Sequence, residues 1–200
     1  MKRAILASLA ILASLVLPAH ADKQVAIFAG GCFWCVESDF DHVPGVLSTI
    51  SGYIGGTTRD PTYYDHTAAG HREAVRVEFD DARVSYDELV SYFFHTVDPT
   101  DAGGQFCDRG HSYTTAIYAI GEEDLAAASK GKAAAEKELK QPIVTEILAA
   151  PDFWPAEDYH QDYYKKNPLR YEIYRHGCGR DRRVDELWGP NARKSTVKGS

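Results

Sequence analysis

Cys32 and Cys35 stand two residues apart, directly after the glycine pair Gly30-Gly31. A glycine turn that delivers a cysteine to the start of a helix makes a nucleophile site, because the free amides and partial positive charge there favour thiolate over thiol. The same spacing also suits a thioredoxin-like disulfide oxidoreductase working through Cys32 and Cys35, or half of a zinc site. Zinc would call for a second pair at similar spacing, whereas Cys107 and Cys178 are far from one another in the chain. Four cysteines allow three complete pairings, and their positions alone do not choose among these.

The elements around these residues follow from periodicity. Val25-Ala26-Ile27-Phe28-Ala29 is a short apolar run, and the unbroken stretch after Gly31 predicts a helix over residues 32–40. Residues 43–71 hold Pro44-Gly45, Gly52 and a segment rich in Gly, Thr, Asp and Pro, which predicts a long functional loop. Residues 73–79 alternate with Val75, Val77 and Phe79 on one face, the mark of a half-buried strand. Ser85 and Glu88 form a capping box ahead of an amphipathic helix that stops at Asp98-Pro99. A second polar loop over 101–112 leads to β-formers at 113–120, a strong helix at 122–140, a strand at 143–148 and a short helix at 156–166. The resulting fold class is α+β, a two-layer α/β sandwich with a mixed, ferredoxin-like sheet and long loops.

Residues 1–21 stand apart from this domain. Lys2 and Arg3 precede an apolar and small-residue run from 4 to 18, closed by Ala19-His20-Ala21, the pattern of a secretory signal peptide cleaved after Ala21. The run is short for a membrane span, which needs roughly 20 apolar residues. The catalytic domain is therefore expected over 22–189, with the polar residues 190–200 a disordered tail, and the protein is expected in the periplasm as a monomer without a membrane anchor. Loss of Lys2 and Arg3 takes the 22 basic residues to 20 against 29 acidic ones, a balance that argues against nucleic acid or an anionic membrane as partner.

The stretch Gly31-Cys32-Phe33-Trp34-Cys35-Val36-Glu37 closely resembles the signature of the A-type peptide-methionine sulfoxide reductases. Ser51-Gly52-Tyr53-Ile54-Gly55-Gly56, Asp60-Pro61-Thr62-Tyr63, Gly70-His71-Arg72-Glu73-Ala74-Val75, Tyr113-Thr114-Thr115-Ala116-Ile117-Tyr118 and His160-Gln161-Asp162-Tyr163 resemble family segments in the same order. A sulfoxide offers an electrophilic sulfur and a basic oxygen, so its reduction wants a thiolate aimed at sulfur and a proton donor near oxygen.

The resemblance implies Cys32 as nucleophile and Glu73 as donor, with Tyr63 and Tyr113 as hydroxyl partners of the oxygen. It implies Phe33 and Trp34 as the wall for the substrate methyl, Asp108 and His160 as supporting polar groups, and Cys178 as the thiol that resolves a Cys32 sulfenic acid. It also implies no metal, no bound cofactor, an external thioredoxin-like dithiol reductant, and free or protein-bound methionine S-sulfoxide as substrate.

For Glu73 to donate at neutral pH, its carboxyl must sit well above the ordinary value of about 4.3, which burial would cause. Two departures stand out: Cys35, where glycine is common in the family, and His111-Ser112 ahead of Tyr113, where Thr and Gln are frequent. Besides the disulfide oxidoreductase, a non-catalytic exported module stapled by two disulfides is the competing class.

Overall fold

A computed structural model describes residues 23–194. The expected signal peptide, 1–21, lies outside the described residues, as do residues 195–200.

Six strands form one sheet. They are β1 (Lys23–Ala29), β2 (Val46–Ile54), β3 (Arg72–Asp80), β6 (Ala116–Ala119), β7 (Glu146–Ala149) and β8 (Phe153–Pro155), and the two-residue strands β4 (Gly104–Gln105) and β5 (Asp108–Arg109) make a separate small ribbon. The order across the main sheet is β7-β6-β1-β3-β2-β8. Only β6 and β7 run parallel, and every other neighbouring pair is antiparallel. With helices α1 (Phe33–Asp41) and α2 (Tyr86–Phe94), the central four strands follow the chain as β1-α1-β2-β3-α2-β6, the split βαβ arrangement expected of a ferredoxin-like sheet. The 18-residue α3 (Glu122–Leu139) packs against α2 and carries the chain from β6 to β7.

The pleat decides which side chains meet. Phe28 of β1 and Val75, Val77 and Phe79 of β3 pack with Val36 and Phe40 of α1 and Phe93 of α2, with the Phe28 ring stacked 4.7 Å from Phe40 and 5.1 Å from Phe93. Ile27, Ala29, Ala74 and Tyr118 form a second cluster on the opposite face. Because side chains alternate, Glu73 shares the helix-facing side with Val75 and lies at the end of β3 nearest the start of α1.

Three expectations are corrected, and one stretch to which the sequence pattern assigns nothing gains structure. Within the expected loop 43–71, the residues of β2 form a nine-residue strand paired on both edges. Gly52 belongs there not as a breaker but because a Cβ would lie 2.4 Å from the Trp154 carbonyl oxygen. The expected helix at 156–166 shrinks to α4 (Tyr163–Lys166), since the Ala156 amide is already bonded to Ser51 and Asp162 takes a left-handed φ of 54°. The polar C-terminal region forms two helices the sequence pattern does not announce, α5 (Pro168–Cys178) and α6 (Arg180–Trp188), joined at left-handed Gly179. Order also continues past residue 190, where the Arg193 amide donates to the His95 carbonyl at 2.9 Å. No described helix is long and apolar enough to cross a membrane.

Candidate active site

Gly31, at φ 85°, turns the chain from β1 into α1, and a Cβ there would lie 2.6 Å from Cβ of Gln105. Cys32 follows as the N-cap of α1, with its side chain making no capping hydrogen bond. The first amide of the helix finds its partner elsewhere: Phe33 N–H donates to Oε2 of Glu73 at 2.9 Å. One contact thus joins the nucleophile's helix to the head of β3, leaving the other carboxyl oxygen of Glu73 for chemistry.

Cys32, Phe33, Trp34 and Glu73 line a small cavity together with Tyr63, Tyr113, Asp108 and Tyr174. Its volume, about 60 Å³, suits the end of a side chain and falls well below the roughly 300 Å³ at which pockets for whole small molecules begin. Hollows of about 300 and 280 Å³ occur elsewhere, but neither contains a thiol.

Seven of the nine residues expected at the site therefore share one cavity. His160 stands behind it, accepting from Trp34 Nε1–H at 3.1 Å through Nδ1 and packing 4.6 Å from the Tyr63 ring. Trp34 is further held by stacking 3.7 Å from Tyr163. Tyr113 ends a short 3-10 turn, His111–Tyr113, that Ser112 pins to the start of β3 by donating to the His71 carbonyl at 2.7 Å.

Cys178 is not in the cavity wall. It is bonded to Cys107, with Cα atoms 4.8 Å apart, while Cys32 and Cys35 are free and buried. With two thiols left free this is none of the three complete pairings, and it sets the disulfide beside the cavity, since Cys107 precedes Asp108 and Cys178 lies one turn beyond Tyr174. Cys107, Asp108 and Cys178 bring three donor atoms within 4.8 Å, but the two sulfurs are joined to each other and so are not available as thiolate ligands to a metal.

Burial sets the protonation states. The Glu73 carboxyl is pushed up to about 8, first by burial and then by Asp108 and Cys35, against the opposing hydrogen bonds of Phe33 and Tyr113. It therefore carries a proton at neutral pH. Burial also raises the Cys32 thiol, with Cys35 and Glu73 adding to the effect. This corrects the expectation of a resting thiolate: at 7 % exposure, dehydration outweighs the helix terminus. Cys35 is drawn down by its hydrogen bond with Cys32 and by the guanidinium groups of Arg180 and Arg175. His160 and His66 are both lowered, first by burial, and stand neutral.

Three site residues escape a reading of the sequence. Tyr53 pairs with Glu73 across β2 and β3, is fully buried, and donates to Glu157 at 2.9 Å. Arg180, 2 % exposed, donates to the Gly30 carbonyl at 3.1 Å and so fixes the glycine turn from α6. Tyr174 projects from α5 into the cavity. The first stands in a family-like segment and could have been found there; the other two sit on helices whose polar composition gives no such signal.

A family model described as peptide methionine sulfoxide reductase matches residues 24–192. The chain belongs to that family. A peptide methionine sulfoxide reductase MsrA 2 from Rhizobium meliloti is 63% identical over 179 residues, covering 89% of this chain and 90% of that protein. The reductase MsrA of Bacillus subtilis is 48% identical over 171 residues, covering 84% and 97%. Among solved structures, methionine sulfoxide reductase A of Corynebacterium diphtheriae matches with TM-score 0.69 at 34% identity, covering 76% of this chain and 79% of that one. Reduced Mxr1 from Saccharomyces cerevisiae gives TM-score 0.69 at 25% identity, covering 80% and 93%. The α+β architecture of this reductase is thus that of its family.

Proposed function

We propose that this chain reduces the S-epimer of methionine sulfoxide, free or in proteins, with Cys32 as nucleophile. The observation that carries the reading is a buried, protonated Glu73 sharing a side-chain-sized cavity with a buried thiol. The substrate methyl lies against Phe33 and Trp34, which places the sulfinyl sulfur before Cys32 and its oxygen among Glu73, Tyr63 and Tyr113. The thiolate attacks sulfur as Glu73 gives its proton to oxygen, methionine leaves, and Cys32 becomes a sulfenic acid.

Cys178 then attacks that sulfur and releases water, forming a bond with Cys32. Cys107 displaces Cys32 from Cys178, which returns Cys32 as a thiol and leaves the Cys107–Cys178 disulfide for the reductant. Cys107 is exposed, as exchange with an outside dithiol requires. Yeast Mxr1, whose fold the chain shares, has been solved in complex with Trx2. A thioredoxin-like dithiol protein is the donor we propose here, in keeping with the Mxr1 precedent. No bound cofactor or metal enters these steps.

We further propose a monomer exported to the periplasm, its leader removed after Ala21. N-terminal sequencing of the exported protein tests the cleavage site. An assay with separated epimers tests the activity: turnover of the R-epimer alone, or full activity after Cys32→Ser, would overturn it.

A further inference from the structure

The resting Cys32 is a buried thiol, yet the reaction needs a thiolate, so something must take its proton. Glu73 is poorly placed for that task, because it already holds a proton and gives it to the sulfoxide oxygen. Tyr174 offers another route. Its hydroxyl donates to Oδ2 of Asp108, and its side chain lines the same small cavity as Cys32. Its ring stands edge-on to Trp34, 5.8 Å between centroids, which holds it in the cavity wall. A tyrosine hydroxyl has one proton and a lone pair to spare. While it donates to Asp108, its oxygen can accept from the Cys32 thiol.

Resting on the function proposed above, we infer that Asp108 is the general base for Cys32 and that Tyr174 carries the proton between them. The Cys32 S–H proton passes to the Tyr174 oxygen as the Tyr174 O–H proton passes to Asp108. This leaves a Cys32 thiolate, a neutral Tyr174 and a neutral Asp108 carboxyl. The Cys32 sulfur gives two electrons to the substrate sulfur and takes its oxygen, Glu73 protonates that oxygen to leave the sulfenic acid and methionine, and the proton held by Asp108 then passes to the Glu73 carboxylate, returning both acids to their starting states.

The environments separate the two carboxyl groups into base and acid. Burial raises Asp108, and its hydrogen bond with Tyr174 and the Arg180 guanidinium oppose that rise. Glu73 lacks a nearby cation among its influences and stays an acid. The groups facing Cys32 are Glu73, Cys35, Tyr63, Tyr113 and Tyr174. Of these, Tyr174 alone also bonds Asp108.

The test compares wild type, Tyr174→Phe and Asp108→Asn as full mature chains, each checked for folding by its thermal melt. Alkylation of Cys32 by iodoacetamide, read by mass spectrometry of its peptide across pH, reports thiolate formation without any substrate. Both variants should slow alkylation at pH 8 about tenfold. In single turnover of methionine S-sulfoxide, both should lower the rate at least tenfold with KM little changed, and lose the acid limb that Asp108 protonation imposes. The double variant should be no slower than either single one. Unchanged alkylation and an intact acid limb in Tyr174→Phe would overturn the inference, as would a change confined to KM. A wild type that alkylates as expected but does not reduce the sulfoxide would instead defeat the proposed function and leave the relay standing.

Discussion

Phe33 N–H and the Glu73 carboxyl meet at 2.9 Å across forty positions of sequence, and this one hydrogen bond fixes the distance between the nucleophile's helix and the acid. It also constrains the carboxyl to present one oxygen to the helix and one to the cavity. Replacement of Glu73 separates its positioning role from its chemical one.

Glu73→Gln keeps an acceptor for the Phe33 amide but has no acidic proton to give. Sulfoxide reduction should fall by about 10²- to 10⁴-fold, the usual contribution of a general acid, while Cys32 still alkylates. In wild type the chemical step should decline as pH rises through about 8, where Glu73 loses its proton. A single-turnover pH profile reads both effects, and a step that stays level to pH 10 would remove Glu73 from the role.

The same residue links pH to stability. Its folded carboxyl titrates near 8 against about 4.3 when unfolded, so between those values the folded state binds the extra proton. Stability should therefore fall as pH rises across that window, by up to about 1.4 kcal/mol per unit. Thermal melts of Glu73→Gln should show a flatter pH dependence than wild type and a higher relative stability at pH 8. Parallel curves would mean that Glu73 is not buried in this way.

Cys178→Ser should leave one turnover intact and abolish sustained turnover with a dithiol protein. It also removes a cross-link between residues 71 apart, which chain-entropy reasoning values at about 4 kcal/mol. A burst assay and a denaturation curve measure the two consequences independently. Continued turnover in this variant would shift the resolving role to Cys35.

Gly52→Ala should loosen the sheet edge, because the new methyl meets the Trp154 carbonyl and the Phe153 ring, each at 2.4 Å. A loss of about 1–3 kcal/mol is expected for such overpacking. Since β8 leads directly to Glu157 and His160, KM should rise as well. Hydrogen exchange at residues 153–160 would locate the loosening, and protection equal to wild type would refute it.

Much of this site was legible before any coordinates. Cys32, Phe33 and Trp34 follow from a glycine turn into a helix, and Glu73 from its place at the head of an alternating strand in a family-like segment. The unusual carboxyl was harder to see, because an acidic residue in an acidic chain is ordinarily solvated and only the packing around it reveals the burial. The β2 strand was hidden by Gly52, whose missing side chain serves a close strand approach that pattern alone reads as a break. Tyr174 and Arg180 were hidden for another reason. Their helices are dense in polar residues, and although Val184 and Trp188 of α6 are buried in the core, nothing in the pattern sets Tyr174 or Arg180 apart from the solvated polar residues around them.

The narrowness of that cavity has a bearing on clients. About 60 Å³ admits the tip of a side chain and little of the backbone behind it. An oxidised methionine on a protruding or unfolded segment can be presented at once, whereas one sealed in a packed interior must wait for local opening. The rate of repair on a folded client would then report how often that client breathes, making the enzyme a probe of other proteins' dynamics as well as their restorer.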